Sequence, residues 1–540
     1  MKKKQIALLT SLSLAATLTM AGCGKETQET AKPKQVLHLV ETAEIPTMDS
    51  TLATDAVSFK VLTNTMEGLY RLDKNNKATS GMADSVDISK DKKTYTFHLK
   101  DAKWSNGDKV TAKDFEYAWK RAVNPETGAQ YAYIMFDVKN AEKINKKELP
   151  VAQLGVKAID DKTLEVQLEK PVPYFLELVA FPTFFPLNEK YVTSHGSKFG
   201  LEDETTLYNG PFVLSNWEHE KGWELKKNNS YWDNKTVRLQ EIDVNVVKEV
   251  STTVNLFESG QIDAGTISAE FVDKYNSSPD LRKIKEPTVY FLRFNESSNK
   301  LLANVNFRKA IDAAVDKKSV VDVILNNGSS PANYFIPNKF VSSPKGEDFR
   351  KVNGELGKYD ESLAKEYWEK AKKETGINKI SLELLNFDND SAKRIGEYYK
   401  EQIEKTLPGV TINIKQQPFA QKLKLETNKD YQISLSGWGP DYPDAMTFLD
   451  MFTTENAQNK MAYSNKKYDE LVQKAKNAID SQERFDAELA AEKVLMDDMA
   501  ISPVYQRGRA MLQRENIKDL YYHPTGGEFS YKWTYISNKK

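Results

Sequence analysis

The sequence predicts an α/β protein of more than one domain, and three observations support this fold class. The chain has 540 residues, more than a single hydrophobic core usually organises, so two or three domains are expected. Apolar and polar residues alternate, as in half-buried strands, in residues 95–99, 164–168 and 242–246. Between residues 468 and 496 the apolar positions, Ile479 among them, recur mostly at helical intervals. Helices and short strands therefore alternate along the chain, which is typical of α/β folds.

Local signals justify the individual elements. The residues that share one face of the first strand are Tyr95, Phe97 and Leu99. This arrangement leaves His98 on the solvent side. A helix is predicted to begin near Thr111, a residue type that caps helices, with Asp114 in its first turn. The helical pattern after residue 468 is broken at residues 480–482, so two helices are expected there.

Residues 1–22 are predicted to be a secretory signal peptide, because three lysines are followed by an apolar stretch too short to span a bilayer comfortably. The small residues before Cys23 resemble the lipobox of bacterial lipoproteins, although Met20 stands where the lipobox usually has leucine. This resemblance implies that Cys23 carries a lipid that holds the protein on the extracytoplasmic face of the cell membrane. The alternative is a plain signal peptide beside an incidental cysteine. Residues 23–35 are polar and are expected to form a flexible tether.

Composition argues against several classes of function. A single cysteine permits neither an internal disulfide nor a thiolate metal cluster. A formal net charge of −1 and no basic stripe argue against nucleic-acid binding. The five histidines are scattered, without the spacing of a zinc site. Ser-x-x-Lys, a motif of some esterases and penicillin-binding enzymes, occurs at Ser89/Lys92, Ser297/Lys300 and Ser464/Lys467. The companion motifs of such enzymes are absent, so neither an enzyme nor a cofactor or metal is expected.

Distinctive motifs are spread along the chain from about Val36 to the C-terminus: WSNGDKVTAKDFEYAWKR at 104–121, NGPFVLSNW at 209–217, KNNSYWD at 227–233, FESGQID at 257–263, NVNFRKAIDAAVD at 304–316 and GWGPDYPDAMTFLDMF at 437–452. Through these motifs the chain resembles the peptide-binding proteins of bacterial ABC importers, the extracellular solute-binding proteins of family 5. The resemblance implies capture of oligopeptides through their backbone and α-amino groups and delivery to a permease with its ATPases. A monomer is expected.

The resemblance also implies an architecture, a two-lobed periplasmic-binding-protein-like fold with an extra inserted domain. The lobes are expected to hinge around a buried ligand cleft. The implied boundaries are 36–66 with 192–288 and 509–540 for the first lobe, 67–191 for the inserted domain, and 289–508 for the second lobe, with hinge strands near 288–294 and 504–508.

The expected ligand segment is SLSGWGPDYPD at 434–444. Its glycines, Gly437 and Gly439, permit close approach of backbone, and Trp438 offers an aromatic wall. In the family, the aspartate of this motif pairs with the α-ammonium group of the peptide, and Asp441 occupies that position. The resemblance further implies ligand contacts for Tyr131, Tyr442 and Ala56. The alternatives are a solvated turn for Asp441 and simple packing for Tyr131.

At the other end of the ligand this sequence departs from enterobacterial members, which place two arginines and a histidine near the peptide carboxylate. The aligned positions here are Glu426, Leu435 and Ala392, none of which pairs with a carboxylate. Either another cation such as Lys393 or Lys424 serves, or the C-terminus lies in water, which favours longer peptides. Two alternatives to oligopeptide delivery stay open on the same fold: a receptor for peptide pheromones, and a binder of another solute such as a dipeptide, a sugar or a nickel complex.

Overall fold

The computed structural model describes residues 34–538. The predicted signal peptide, Cys23 and most of the tether lie outside the described residues. Within the described range, no helix combines the length and the apolar character that a membrane crossing needs.

Strands and helices alternate through the described chain, as the sequence predicts. The strands are β1 (Val36–Glu41), β2 (Tyr70–Leu72), β3 (Ala78–Ser80), β4 (Ala83–Ile88), β5 (Thr94–Leu99), β6 (Val156–Ala158), β7 (Thr163–Gln167), β8 (Phe212–Glu218), β9 (Gly222–Lys227), β10 (Glu241–Val246), β11 (Ala264–Ile267), β12 (Leu281–Phe294), β13 (Ser330–Pro331), β14 (Ile380–Phe387), β15 (Val410–Gln417), β16 (Ile433–Trp438), β17 (Ile501–Gln513), β18 (Ile517–Lys518), β19 (Tyr521–Tyr522), β20 (Phe529–Ser530) and β21 (Tyr535–Ile536). The helices are α1 (Ala56–Thr65), α2 (Ala112–Val123), α3 (Ala141–Asn145), α4 (Phe175–Leu178), α5 (Glu189–His195), α6 (Val250–Glu258), α7 (Glu270–Lys274), α8 (Val305–Ala313), α9 (Lys317–Ser319), α10 (Phe349–Asn353), α11 (Glu361–Thr375), α12 (Asp390–Thr406), α13 (Phe419–Thr427), α14 (Met446–Leu449), α15 (Lys466–Asn477) and α16 (Ser481–Asp497).

One mixed sheet of eleven strands dominates the described chain, in the order β15-β14-β16-β12-β17-β11-β1-β10-β9-β8, with β13 paired to β17. Its longest strands, β12 with 14 residues and β17 with 13, are antiparallel neighbours at the centre. Their pairing register shifts between Lys285 and Val289. The strand pair therefore joins two halves of the sheet, and a separate four-stranded sheet has the order β4-β5-β7-β6.

Buried apolar side chains form three clusters in the described chain. The largest runs from the four-stranded sheet to the β8–β10 edge of the main sheet. A second cluster is drawn only from residues between 292 and 505. A third lies around α6 and the far ends of β12 and β17. Part of the chain from β12 to β17 thus has a separate hydrophobic core, whereas Phe335, Phe448 and Phe452 belong to the largest cluster.

The local predictions are confirmed except around the break between α15 and α16. In β5 the apolar residues are buried, while the side chain of His98 is 43% exposed and lies beside Asp87. The backbone N–H of Thr111 donates to the Asp114 carboxylate at 2.7 Å, just before α2. The predicted break between α15 and α16 is present, but it lies at residues 478–480 and overlaps the predicted 480–482 only at Asp480, the cap of α16. The assignment of Ile479 to the apolar helical pattern is wrong, because this residue lies in the connecting turn and is fully exposed.

Candidate functional site

Two adjoining cavities lie where β12, β16 and β17 meet the first turn of α1. Their volumes are about 160 Å³ and about 220 Å³. The residues that line both are Ala56, Tyr290, Phe387, Phe419, Arg507 and Glu528. Together the cavities form one cleft between the two halves of the main sheet, a setting in which small-molecule sites commonly occur.

Asp441 lies at one end of this cleft and is only 7% exposed. The hydroxyl of Tyr131 donates to its Oδ1 at 3.3 Å, and the hydroxyl of Thr447 donates to its Oδ2 at 3.3 Å. Among the described residues, the Asp441 carboxylate has no cationic partner. Burial raises the pKa of Asp441 to about 8, against the smaller opposing effect of these two hydrogen bonds. A cation that enters this end of the cleft would favour the ionised carboxylate.

An aromatic wall stands beside this carboxylate. The Trp438 ring is stacked on Tyr131, with centroids 6.1 Å apart and planes at 11°. The indole nitrogen of Trp438 donates to the backbone carbonyl of Thr447 at 2.9 Å. Tyr131 is stacked in turn on Phe181, with centroids 5.5 Å apart. The wall is therefore held in place by its own packing and hydrogen bonding.

The two glycines of the segment lie close against side chains of β12. A Cβ atom on Gly437 would lie 3.0 Å from the ring of Tyr290, its partner across the β12–β16 pairing. A Cβ atom on Gly439 would lie 3.0 Å from the hydroxyl of Thr288. Glycine at these positions lets the side chains of β12 lie close against the end of β16. Both glycines still line the cleft.

The structure gathers six of the seven sequence-predicted site residues around the first cavity. These are Ala56, Tyr131, Gly437, Trp438, Gly439 and Asp441. Ala56 is the first residue of α1 and follows Asp55, whose carboxylate accepts the Ser58 N–H at 2.8 Å. Tyr442 does not line this cleft. It is stacked on Tyr174, with centroids 5.0 Å apart, and lines a separate polar cavity of about 320 Å³.

A buried charged cluster that was not predicted from the sequence lines the same cleft. Its members are Arg293 on β12, Lys422 and Glu426 on α13, and Lys460. Each is at most 4% exposed. The cations proposed from sequence, Lys393 and Lys424, are exposed and do not line either cavity.

Within this cluster, Glu426 is the hydrogen-bond acceptor. Lys422 donates to its Oε1 at 2.6 Å, Ser434 donates to the same atom at 2.6 Å, and Ser436 also donates to it. Burial alone would raise the pKa of Glu426, but Lys422, Arg293 and Lys460 together hold it well below its usual range. Burial, reinforced by the nearby Arg293, lowers the pKa of Lys460 to about 8. The part of the first cavity that this cluster lines is therefore basic.

Contacts bridge the two sides of the cleft in addition to the tyrosine–aspartate contact. Gln130 donates to the Thr427 hydroxyl at 3.3 Å, and Lys248 donates to the Asp388 carboxylate at 2.7 Å. The structure is thus in a closed arrangement, with the cleft covered.

A buried cleft between two halves of a sheet, joined by one pair of long strands, defines an α/β solute-binding protein that closes around its ligand. The family model described as bacterial extracellular solute-binding proteins, family 5 Middle, matches residues 77–460, and the chain belongs to this family. It is 36% identical to the dipeptide-binding protein DppE of Bacillus subtilis, over 95% of this chain and 96% of that protein.

Solved structures agree with this assignment. The substrate-binding domain of an oligopeptide ABC transporter from Bacillus anthracis is 50% identical, with a TM-score of 0.92, and the match covers 94% of this chain and 99% of that one. Listeria monocytogenes OppA bound to peptide is 42% identical, with a TM-score of 0.91, over 94% of this chain and 100% of that one. These relatives are substrate-binding proteins, and they support the predicted two-lobed α/β fold.

The comparisons also bear on conformation. The Escherichia coli murein tripeptide binding protein MppA matches with a TM-score of 0.85 at 25% identity, over 94% of this chain and 99% of that one. Its unliganded open form matches with only 0.59, over 94% and 98%. The sequence identity is 25% in both comparisons, so the lower TM-score reflects a different arrangement of the lobes. The conformation of this chain is therefore unlike that open form.

Proposed function

We propose that this protein captures oligopeptides outside the cytoplasm and delivers them to an ABC transporter permease with its ATPases. The observation that carries the proposal is the buried Asp441 carboxylate, which faces the cleft without a cationic partner in the described chain. The α-ammonium group shared by all unmodified peptides supplies such a partner. The names of the relatives, which refer to dipeptide and oligopeptide binding, support this choice of solute.

In the proposed binding mode, an extended peptide lies in the cleft with its amino terminus at Asp441. Main-chain hydrogen bonds hold the extended backbone, as in other strand-like peptide complexes. Tyr131 orients the carboxylate, Trp438 and the flanking glycines form the wall, and Ala56 leaves room at the start of α1. Tyr442, packed on Tyr174, supports the segment from behind.

We further propose the domain boundaries implied by the family. The first lobe comprises 36–66, 192–288 and 509–540, the inserted domain 67–191, and the second lobe 289–508. The lobes move by bending near 288–294 and 504–508, which fall within β12 and β17. The irregular pairing between Lys285 and Val289 supports a bend at this level of the strand pair.

We propose that Cys23 is lipid-modified and that residues 23–35 tether a monomeric body to the cell membrane. The protein acts in this proposal without a cofactor and is not an enzyme. None of the three Ser-x-x-Lys pairs lines the cleft, which supports this reading.

The test is calorimetric titration of the chain beginning after the tether with peptides of three to nine residues. Each peptide is used with a free and with an acetylated amino terminus. Binding that is lost on acetylation is the expected result. If the protein binds none of the peptides, its ligand is a different solute. A strong preference for one hydrophobic peptide would favour the pheromone-receptor alternative.

A further inference from the structure

We propose that Arg293, Lys460 and Lys422 form a second subsite in the cleft, which binds a carboxylate group of the ligand. The inference rests on the proposed function and specifies the class of peptide that the cleft takes. The carboxylate is either the C-terminus of a short peptide or the side chain of an aspartate or glutamate in a longer one.

Two cations of the cluster lack a hydrogen-bond acceptor among the described residues. Glu426 is occupied by Lys422 and two serine hydroxyls. Arg293 is 3% exposed, yet its Nε and Nη1 atoms have no hydrogen-bond partner in the part of the chain that the structure describes. Lys460 is 4% exposed, and no hydrogen bond or ion pair is formed by its ammonium group within residues 34–538. Buried charges are ordinarily paired, so these two donors lack an acceptor.

The charges around Lys460 leave a positive excess. The three cations face two acidic residues, Glu426 and Asp55. Burial raises the pKa of Asp55 to about 6, and its Oδ2 atom accepts no hydrogen bond from the described residues. Even with both carboxylates ionised, one positive charge remains, which matches one carboxylate of a ligand.

A second basic group near the cleft is already neutralised. Arg507 and Arg509 both donate to Glu286 and to Glu528. Lys60 lies between Glu41 and Glu528, at 2.5 and 3.4 Å. This network is therefore compensated within the protein and does not need a ligand. Among the described cations that line the cleft, Arg293 and Lys460 are therefore the two whose charge no acidic group of the protein contacts directly.

Strand register gives the backbone separation between Arg293 and the start of the segment that carries Asp441. Arg293 is paired with Ser434, and Val289 is paired with Trp438, just before the segment that carries Asp441. Four residues of strand separate the two pairs, which corresponds to about 13 Å at about 3.3 Å per residue. An extended peptide covers this span with roughly three to four residues. The subsite therefore fits the α-carboxylate of a tripeptide or tetrapeptide, or an acidic side chain at about the third or fourth position.

This cluster replaces the family's carboxylate partners by different residues. The positions expected to carry them hold Glu426, Leu435 and Ala392, all buried. Positive charge is supplied instead from β12 by Arg293 and from the loop before α15 by Lys460. The chain thus lacks the family's cations at those three positions but carries positive charge in the cleft on other residues.

The test is titration of the same protein with two sets of peptides. The first set contains tripeptides and tetrapeptides with a free or an amidated C-terminus. The second contains amidated hexapeptides with glutamate or glutamine at position three or four. We expect a loss of affinity of at least about 30-fold on amidation in the first set, or on replacement of glutamate by glutamine in the second. The set that responds identifies the source of the carboxylate.

Variants assign the effect to the cluster. Lys460→Met is expected to weaken binding of the carboxylate-bearing peptide, while its affinity for the neutral counterpart stays within about threefold of the wild-type value. Arg293→Met provides a second, independent variant. Lys424→Met, at an exposed lysine of the same helix as Lys422, is the matched control. Thermal unfolding of each variant monitors folding.

Two failures are distinguishable. Peptides that bind tightly through a free amino terminus, but with no response to amidation or to glutamine, would overturn the subsite alone. Equal weakening of charged and neutral peptides by Lys460→Met would assign the lysine a structural role and would also overturn it. No binding of any peptide would overturn the proposed function itself.

Discussion

The substitution Asp441→Asn removes the charge at the acidic end of the cleft and keeps the size of the side chain. The carboxylate is 7% exposed, so solvent screens its interaction with a ligand only weakly. Loss of one partner from a buried, hydrogen-bonded charge pair costs about 2 to 5 kcal/mol, or roughly 30- to 4,000-fold in affinity. Ionising the empty, closed site at pH 7 costs about 1.4 kcal/mol for a pKa near 8, and the ammonium group of the ligand offsets this cost.

The assay is a double-mutant cycle by calorimetry. The wild-type and Asp441→Asn proteins are each titrated with one peptide carrying a free or an acetylated amino terminus. We expect acetylation to weaken binding strongly in the wild type and by less than about threefold in the variant, because the pair is already broken. Asp430→Asn, at an exposed aspartate ahead of β16, is the control and should behave as wild type. An equal response of wild type and Asp441→Asn to acetylation would refute the pairing of the ammonium with Asp441.

Three further predictions follow from contacts described above. Tyr131→Phe removes one donor to Asp441 and should weaken peptide binding about tenfold or more, whereas a change below threefold in the same titration contradicts a contact role. Glu286→Gln leaves two buried arginines undercompensated and should lower the free energy of unfolding by about 3 to 5 kcal/mol; an unchanged urea midpoint counts against this. The pKa of Asp441 is about 8 in the closed state, against 3.8 ordinarily, so protonation of this carboxyl favours closure of the ligand-free protein. This stabilisation is complete below pH 3.8 and is lost as the pH rises through 8. Small-angle scattering of ligand-free protein should therefore show more open molecules at pH 8.5 than at pH 5, and Asp441→Asn should suppress that difference.

The elements that could be predicted from the sequence are those specified by short-range chemistry. The caps of α2 and α16 and the alternation in β5 depend on neighbours within a few residues. The central pairing of β12 with β17 joins residues more than 200 positions apart, such as Tyr290 with Tyr505, and no local pattern specifies it. The boundary of the helical pattern was missed at Ile479, since its hydrophobicity fits the helical period but the chain turns there.

The candidate site divides in the same way. Asp441 and its glycines stand in one motif, so the resemblance located them together. Arg293 reads as one polar residue within an apolar strand, and Lys422 with Glu426 reads as an ordinary exposed pair at helical spacing. Both interpretations change only in the folded protein, where Ser434 and Ser436 of β16 donate to Glu426 and the charged residues are buried beside the cleft. The basic end is therefore a property of tertiary packing and has no signature in sequence.

The opposite charges at the two ends of the cleft make it directional. A peptide is a zwitterion, and turning it end for end would place ammonium against Arg293 and Lys460 and carboxylate against Asp441. Like charges brought together in a buried site are strongly unfavourable, so the two orientations are not equivalent. On the proposed binding mode, the protein distinguishes a sequence from its reverse, and each captured peptide has the same polarity when the cleft opens at the membrane.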